Sequence, residues 1–433
     1  MSMRTLLSKI VIFIVTILLL LPVRLFAEEK IMSLSECIKE AEKNNPELKA
    51  QGAKVEEYGF KYRQQLGVIL PQLDANISYT RYEEQLPSKK TLFGSSLDDY
   101  YSDISLRQVL FSGGKNISQI NSASTALSAE KQKFEQIRKT VHLSVKKAYF
   151  EQARAQYMFQ IQQELLARLM EHLTIAQLLY ESGKISNVDV LKIKTQLAAA
   201  EDSLSNLKDL VYTKALLLGQ TMGLNEAVNA SLQLAKPEEG LTIKSVCLQD
   251  KFKDTPEIKY DYNLIEKANF DKLAAKGELF PNVSLRASYF REDKDFFPEY
   301  PNWYAGIAIT VPLFHGGSII SQIQQAKARQ KQAQESLIQT ELNLNVKFQS
   351  AKASLVDRIN RLKTTKKVLD LAQESLTATE LSYKSGKLSA LELIDAQTVY
   401  YNSLLNYKNN IIDYYIAKAE IEYICPEAIA EVE

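Results

Sequence analysis

The chain has 433 residues and carries 53 Lys and Arg against 52 Asp and Glu, a formal net charge of +1. That balance excludes the basic surface that nucleic-acid binding requires. Its 3 cysteines and 3 histidines are scattered without metal-ligand spacing or a nucleophile–base pattern, so no enzyme activity, metal or cofactor is expected. The chain opens with Arg4 and Lys9, an apolar run over 10–21 and a small residue, Ala27, before Glu28 and Glu29. Residues 1–27 therefore read as a secretory signal peptide. Nothing else is apolar enough to span a bilayer as a helix, which leaves a soluble exported protein or one that crosses a membrane as strands.

The exported part is a duplication. Residues 28–69 open the first repeat with a helical pattern from Ser33, a candidate N-cap, broken at Asn45-Pro46. Residues 245–279 open the second with the same break at Thr255-Pro256, after an inter-repeat segment over 225–244. Leu70-Pro71 and Phe280-Pro281 then introduce two β-hairpins, 70–112 and 280–315. In the first, Leu73, Ala75, Ile77 and Tyr79 alternate with Asp74, Asn76, Ser78 and Thr80; in the second, Val283, Leu285, Ala287 and Tyr289 alternate with Ser284, Arg286 and Ser288. Each hairpin thus has one apolar face and one polar face. Both end in a glycine pair, Gly113-Gly114 and Gly316-Gly317, where the chain can redirect sharply into a helix.

Two helical hairpins follow, 113–224 and 316–425, before a short tail over 426–433. Residues 115–182 and 318–385 contain no Gly or Pro, so each opening helix reaches about 100 Å at the rise of an α-helix. The returning helices place apolar residues every seven: Leu197, Leu204, Val211 and Leu218, and then Tyr400, Tyr407, Tyr414 and Ile421. That spacing predicts coiled-coil-like packing. The tips, near 180–190 and 383–395, repeat one motif, Tyr-x-Ser-Gly-Lys. Gly183 and Gly386 are the expected helix C-caps, and Ser186 and Ser389 the expected N-caps of the returns. Glu392 and Asp395 stand three apart on one face of the second return, where the first return has Asp189 and Lys192. Cys37 and Cys247 occupy equivalent places in the two repeats, and no disulfide is expected.

Strands of about ten residues with aromatics near their ends (Tyr79, Tyr100, Tyr289, Trp303) suit a tilted crossing of an outer membrane. Four strands cannot close a barrel, so several chains must pool their hairpins. An alternative reading, a non-pore periplasmic coiled-coil scaffold or adaptor, fits the long helices but not the strand pairs.

The order and duplication of these motifs, LPQLDANISYTRY and FPNVSLRASYFRE, LFSGG and LFHGG, and the paired YxSGK tips, resemble the TolC family of outer-membrane efflux proteins. The resemblance implies an α+β membrane protein, a homotrimer whose twelve-stranded β-barrel in outer-membrane lipid continues into a twelve-helix α-barrel through the periplasm. It implies a passive exit duct for efflux or type I secretion, docked to a periplasmic adaptor (membrane fusion) protein and an inner-membrane RND or ABC transporter. It also implies a periplasmic gate, matched here by Glu392, Asp395, Asp189 and Tyr383. Adaptor docking would fall to the tip turns, Gly183, Gly386, Ser186, Ser389 and Lys387. Leu388 stands where a basic latching residue can occur in the family, and Lys387 beside it is the expected substitute.

Overall fold

The computed structural model describes residues 30–84, 96–232, 242–243, 249–296, 301–385, 387–425 and 429–430. The expected signal peptide, Gly386 and Cys247 lie outside the described residues. In chain order the elements are β1 (Lys30–Met32), α1 (Leu34–Asn44), α2 (Pro46–Gly67), β2 (Gln72–Arg81), β3 (Asp98–Phe111), α3 (Lys115–Glu181), α4 (Asn187–Met222), β4 (Val228–Ala230) and β5 (Thr242–Ile243). After a 3₁₀ turn at Gln249–Asp254 come α5 (Pro256–Gly277), β6 (Asn282–Asp293), β7 (Pro301–Thr310), α6 (Ser318–Lys384), α7 (Ala390–Ile424) and β8 (Ile429–Ala430). No helix among the described residues is long and apolar enough to cross a membrane.

The chain divides into two compact units. One holds residues 44–143, 238–360 and 416–433, and it contains the sheet. The two hairpins, which the sequence leaves as separate pairs, join through β3 and β6 into one antiparallel sheet of order β2-β3-β6-β7. The two hairpins share one register: Leu73 faces Leu106 as Val283 faces Ile309, and Tyr79 faces Tyr100 as Tyr289 faces Trp303. The sheet is inverted relative to a water-soluble one. Ile77 is 89% exposed, Trp303 71% and Ile309 66%, whereas Ser284 and Ser288 are buried. An apolar face turned outward with serines turned inward matches a hydrocarbon surround.

The glycine junctions turn the sheet into helices. Gly113 and Gly114 have φ of 62° and 79°, and Gly316 and Gly317 of 58° and 80°. Below the first junction α2 and α5 flank the start of α3. Gln51 Nε2 donates to the buried Glu130 at 2.8 Å, Ser122 Oγ donates to Asp271 at 2.5 Å, and Lys115 pairs with Glu278 at 2.9 Å. β5 pairs with β8, bringing the chain end to the inter-repeat segment. Cys425, just past α7, is disulfide-bonded, which corrects the expectation of no disulfide. That expectation weighed only the equivalence of Cys37 and Cys247; Cys425 has no counterpart in the first repeat.

The other unit holds residues 1–43, 144–237 and 361–415. Its β1 and β4 pair in parallel. Gln152, fully buried, donates to Asn229 and accepts the Ala230 amide, while Tyr149 and Tyr157 donate to the Ser231 and Leu232 carbonyls. These bonds satisfy a backbone segment that would otherwise be buried without partners. Cys37 is free, and burial pushes its thiol up to about 11, so it stays an inert thiol at neutral pH. The seven-spaced residues within this unit are all buried or half-buried, with Leu218 and Tyr414 at 1% exposure or less.

Candidate functional site at the hairpin tips

Both tips are built from one local code. At the end of α3, Gly183 adopts φ 71°, its amide bonds to the Tyr180 carbonyl and the Lys184 amide to the Leu179 carbonyl, each at 2.9 Å. This closes the helix with a Schellman-type turn. At the second tip the Lys387 amide bonds to the Ser382 carbonyl at 3.0 Å, the equivalent closure. The returns start with matching capping boxes. Asp189 accepts from the Ser186 amide at 3.3 Å, and Ser186 Oγ accepts the Asp189 amide at 3.3 Å. Glu392 accepts from the Ser389 amide at 2.8 Å and its hydroxyl at 2.9 Å, and Ser389 Oγ accepts the Glu392 amide at 3.4 Å. Asp189 and Glu392 therefore each secure a helix start as well as carrying charge.

Those bonds decide the charge state of Glu392. The Ser389 amide, then its hydroxyl, hold the carboxyl below its ordinary range, so it is ionised at neutral pH. Because the folded value is depressed, the contribution of this cap is complete above the ordinary carboxylate value and is lost as pH falls from there through the depressed one. Glu392 and Asp395 are both exposed. Lys192 approaches Asp189 at 3.8 Å, so the first return is locally neutralised where the second is not.

The tips meet through apolar contact. Ala176, Leu179, Val190 and Ile193 of the first hairpin form one buried cluster with Leu376, Tyr383, Ala390, Leu393 and Ile394 of the second. The duplicated tyrosines diverge here: Tyr180 is 47% exposed and Tyr383 is fully buried. Among the described residues Tyr383 Oη has no hydrogen-bond partner. Burial, with a smaller contribution from the charge of Asp189, raises its phenol above the ordinary value. Among the described residues Tyr383 thus packs in this cluster without a polar link to Asp189.

Two cross-hairpin contacts escaped the sequence reading. Lys384 Nζ reaches Glu171 at 3.3 Å, and His172 Nε2 lies 3.5 Å from Glu380 Oε1. Their repeat counterparts are Glu181 and Glu374, and Ser375 and Gln177, respectively. The signal available was this loss of equivalence between repeats, but it names no partner. A cavity of ≈390 Å³ beside the contacts is lined by Glu164, Arg168, Glu171, Glu380, Tyr400 and Tyr401. His172 is 1% exposed, and among the described residues neither ring nitrogen has a hydrogen-bond partner. At 3.5 Å the approach to Glu380 is the long end of a bond, so the ring rests beside the carboxylate.

Burial lowers the His172 pKa, outweighing Glu380 and Glu171, which raise it; Lys384 lowers it further. Arg168 on the same helix pairs with Glu171 at 3.4 Å, and Tyr401 of α7, pushed up to about 12, is neutral. The packed junction thus binds fewer protons than a separated one, and its stability falls as pH drops below about 6.5. Amide-exchange protection around His172 is expected to fall between about pH 7.5 and about pH 5.5, by at most about tenfold. His172→Gln should remove that dependence; an equal fall in the variant would show another group to be responsible.

With this geometry in hand, comparison with known proteins decides the family. The family described as "Outer membrane efflux protein" matches residues 37–224 and 265–423, both repeats. The chain belongs to this family. It is an outer-membrane efflux protein of the TolC-like fold, and a non-pore scaffold is set aside. The efflux pump protein TtgC of Pseudomonas putida is 24% identical over 388 residues, 84% of this chain and 77% of that one. The cation efflux system protein CusC of Escherichia coli O157:H7 is 25% identical over 421 residues, 90% of this chain and 83% of its own. Among solved structures, a CusC crystal structure aligns with a TM-score of 0.80 at 17% identity, covering 90% of this chain and 91% of that one. The Vibrio cholerae outer-membrane protein VceC aligns at 0.76 with 18% identity, covering 90% and 95%. These structural likenesses establish the fold of this efflux protein and leave its tip residues to be read from its own geometry.

Proposed function

We propose that three copies of this chain pool their four-stranded sheets into a twelve-stranded barrel in the outer membrane, continued by a twelve-helix tunnel through the periplasm. The duct is passive, and a periplasmic adaptor docked at the tip turns (Gly183, Ser186, Gly386, Lys387, Ser389) couples it to an inner-membrane RND or ABC transporter. The observation that carries this reading is the inverted sheet. Its apolar residues face outward, Ser284 and Ser288 are buried, and among the described residues β2 and β7 end it with unpaired edges. In hydrocarbon each unpaired backbone group costs several kcal/mol, so the edges must be closed by further strands. Sodium carbonate washing should leave the protein in the membrane pellet; release into the supernatant would sink the barrel.

At the tips, Glu392 and Asp395 form the gate. Repeated around a three-fold axis, six exposed carboxylates would attract cations and crowd one another. Planar-bilayer recordings of the purified protein test this. Glu392→Gln with Asp395→Asn keeps side-chain volume, and Gln still completes a capping box. Divalent-cation block is expected to weaken several-fold in this variant, and an unchanged block would remove both residues from the gate.

A further inference from the structure

One row across the sheet carries charge without compensation. The strand registers place Gln72, Arg107, Arg286 and Gly306 side by side on β2, β3, β6 and β7. Arg286 alternates with the outward Leu285 and Ala287 and shares the polar face with Ser284 and Ser288, as Arg107 shares it with Asp103 and Ser105. Arg107 and Arg286 stand directly opposite each other, which sets their Cβ atoms about 5 Å apart. Like charges so placed destabilise a sheet. Both side chains are exposed. Among the described residues no carboxylate pairs with either guanidinium, and Asp74, on the same face, belongs to the next row.

The duplication shows that the missing partner is peculiar to the second hairpin. Leu73 faces Leu106 as Val283 faces Ile309, so Asn76 opposite Asp103 is the counterpart of Arg286 opposite Gly306. The first hairpin satisfies its own pair: Asn76 Nδ2 donates to Asp103 Oδ1 at 3.1 Å. In the second, a guanidinium replaces the amide and a glycine replaces the carboxylate that would neutralise it. Packing does not demand this glycine, because a Cβ there would meet nothing within 4 Å among the described residues. A glycine inside a strand weakens it and leaves room for a ligand to approach the backbone closely. Here the room lies beside Arg286.

We infer, on the barrel reading above that turns this face to the water of the duct, that Arg107 and Arg286 bind a small oxyanion, the phosphate, sulfate or carboxylate group of a soluble solute. Each guanidinium is planar and always charged, and its fork meets an oxyanion through paired N–H donors. An oxyanion held between the two replaces their repulsion with two charge-assisted contacts. Gln72 and the gap at Gly306 flank that position along the row. Repeated in each copy, the pairs make a cationic band inside the barrel, opposite in sign to the carboxylates proposed for the tip. Rings of arginine give a pore preference for anions.

Two measurements on the full-length protein test the site. The first is isothermal titration with inorganic pyrophosphate in dodecyl maltoside, which is uncharged and free of phosphate, so that no lipid headgroup supplies the anion. Saturable binding is expected, lost in Arg107→Gln with Arg286→Gln and weakened several-fold in Arg286→Lys, which keeps the charge without the fork. No binding to the parent, or equal binding to the double variant, overturns the site. The second is the reversal potential of single channels in a KCl gradient, recorded with Glu392→Gln and Asp395→Asn in place so that the tip carboxylates do not set the ion preference. Neutralising both arginines in that background should move the reversal potential toward cation selectivity. Channels whose reversal potential stays put overturn the band and leave the barrel standing. Folded protein that forms no channel overturns the barrel reading and the band with it, and the titration then decides the anion site alone.

Discussion

Tyr383→Phe is expected to leave the tip as stable as the parent protein or slightly more so, while Tyr383→Ala loosens it by about 3–5 kcal/mol. The two outcomes separate an apolar lock from a polar latch. Tyr383 is fully buried with its hydroxyl unpartnered. A buried hydroxyl without a hydrogen bond is a cost, so removing it alone forfeits nothing. Removing the ring leaves a cavity in the cluster that Leu179, Val190 and Ile193 share with Leu376 and Leu393. Amide exchange over the two tips gives the local opening free energy, and bilayer recordings of the same variants report the gate. Conductance should rise in Tyr383→Ala and stay unchanged in Tyr383→Phe. A rise in the phenylalanine variant would restore the hydroxyl as a latch. Tyr180→Ala, at the half-exposed counterpart, should have little effect on either readout.

The second large effect is expected at the first sheet-to-helix junction. Gly113→Ala combines a left-handed φ of 62° with a Cβ placed 2.5 Å from the Gly277 carbonyl. The backbone strain costs about 1–2 kcal/mol, and the collision forces a backbone shift of about 1–3 kcal/mol more. Gly277 cannot yield easily, because it is held against Lys115 just as closely: a Cβ on Gly277 would lie 2.8 Å from the Lys115 amide nitrogen. Gly114→Ala has the strain without the collision and should cost about 1–2 kcal/mol. Yield of folded protein and resistance to proteolysis should therefore separate the two variants, with Gly113→Ala much the worse. Equal behaviour would mean that α5 moves aside freely.

Much of this molecule follows from local physics written plainly in the chain. Long runs without Gly or Pro made two helices of 67 residues each, since nothing in them interrupts the backbone bonding. Period-two alternation after Pro71 and Pro281 made the strands, and Gly183, Ser186 and Ser389 closed and opened helices by direct hydrogen bonds to their neighbours. Duplication supplied the rest of the organisation, because a motif that appears twice in the same order constrains the fold more than either copy alone.

What the chain could not declare are the points where its two copies stop being equivalent. Tyr180 and Tyr383 read identically, yet one is half-exposed and the other sits in the core, because only the second faces the opposing hairpin. The pairing of His172 with Glu380 and of Lys384 with Glu171 depends on which helices lie side by side, and helix periodicity carries no record of that. The joining of two hairpins through β3 and β6 likewise rests on long-range backbone bonds between segments far apart in the chain. Local sequence determines elements and their ends, through bonds to near neighbours; tertiary packing decides which of two equal residues is buried.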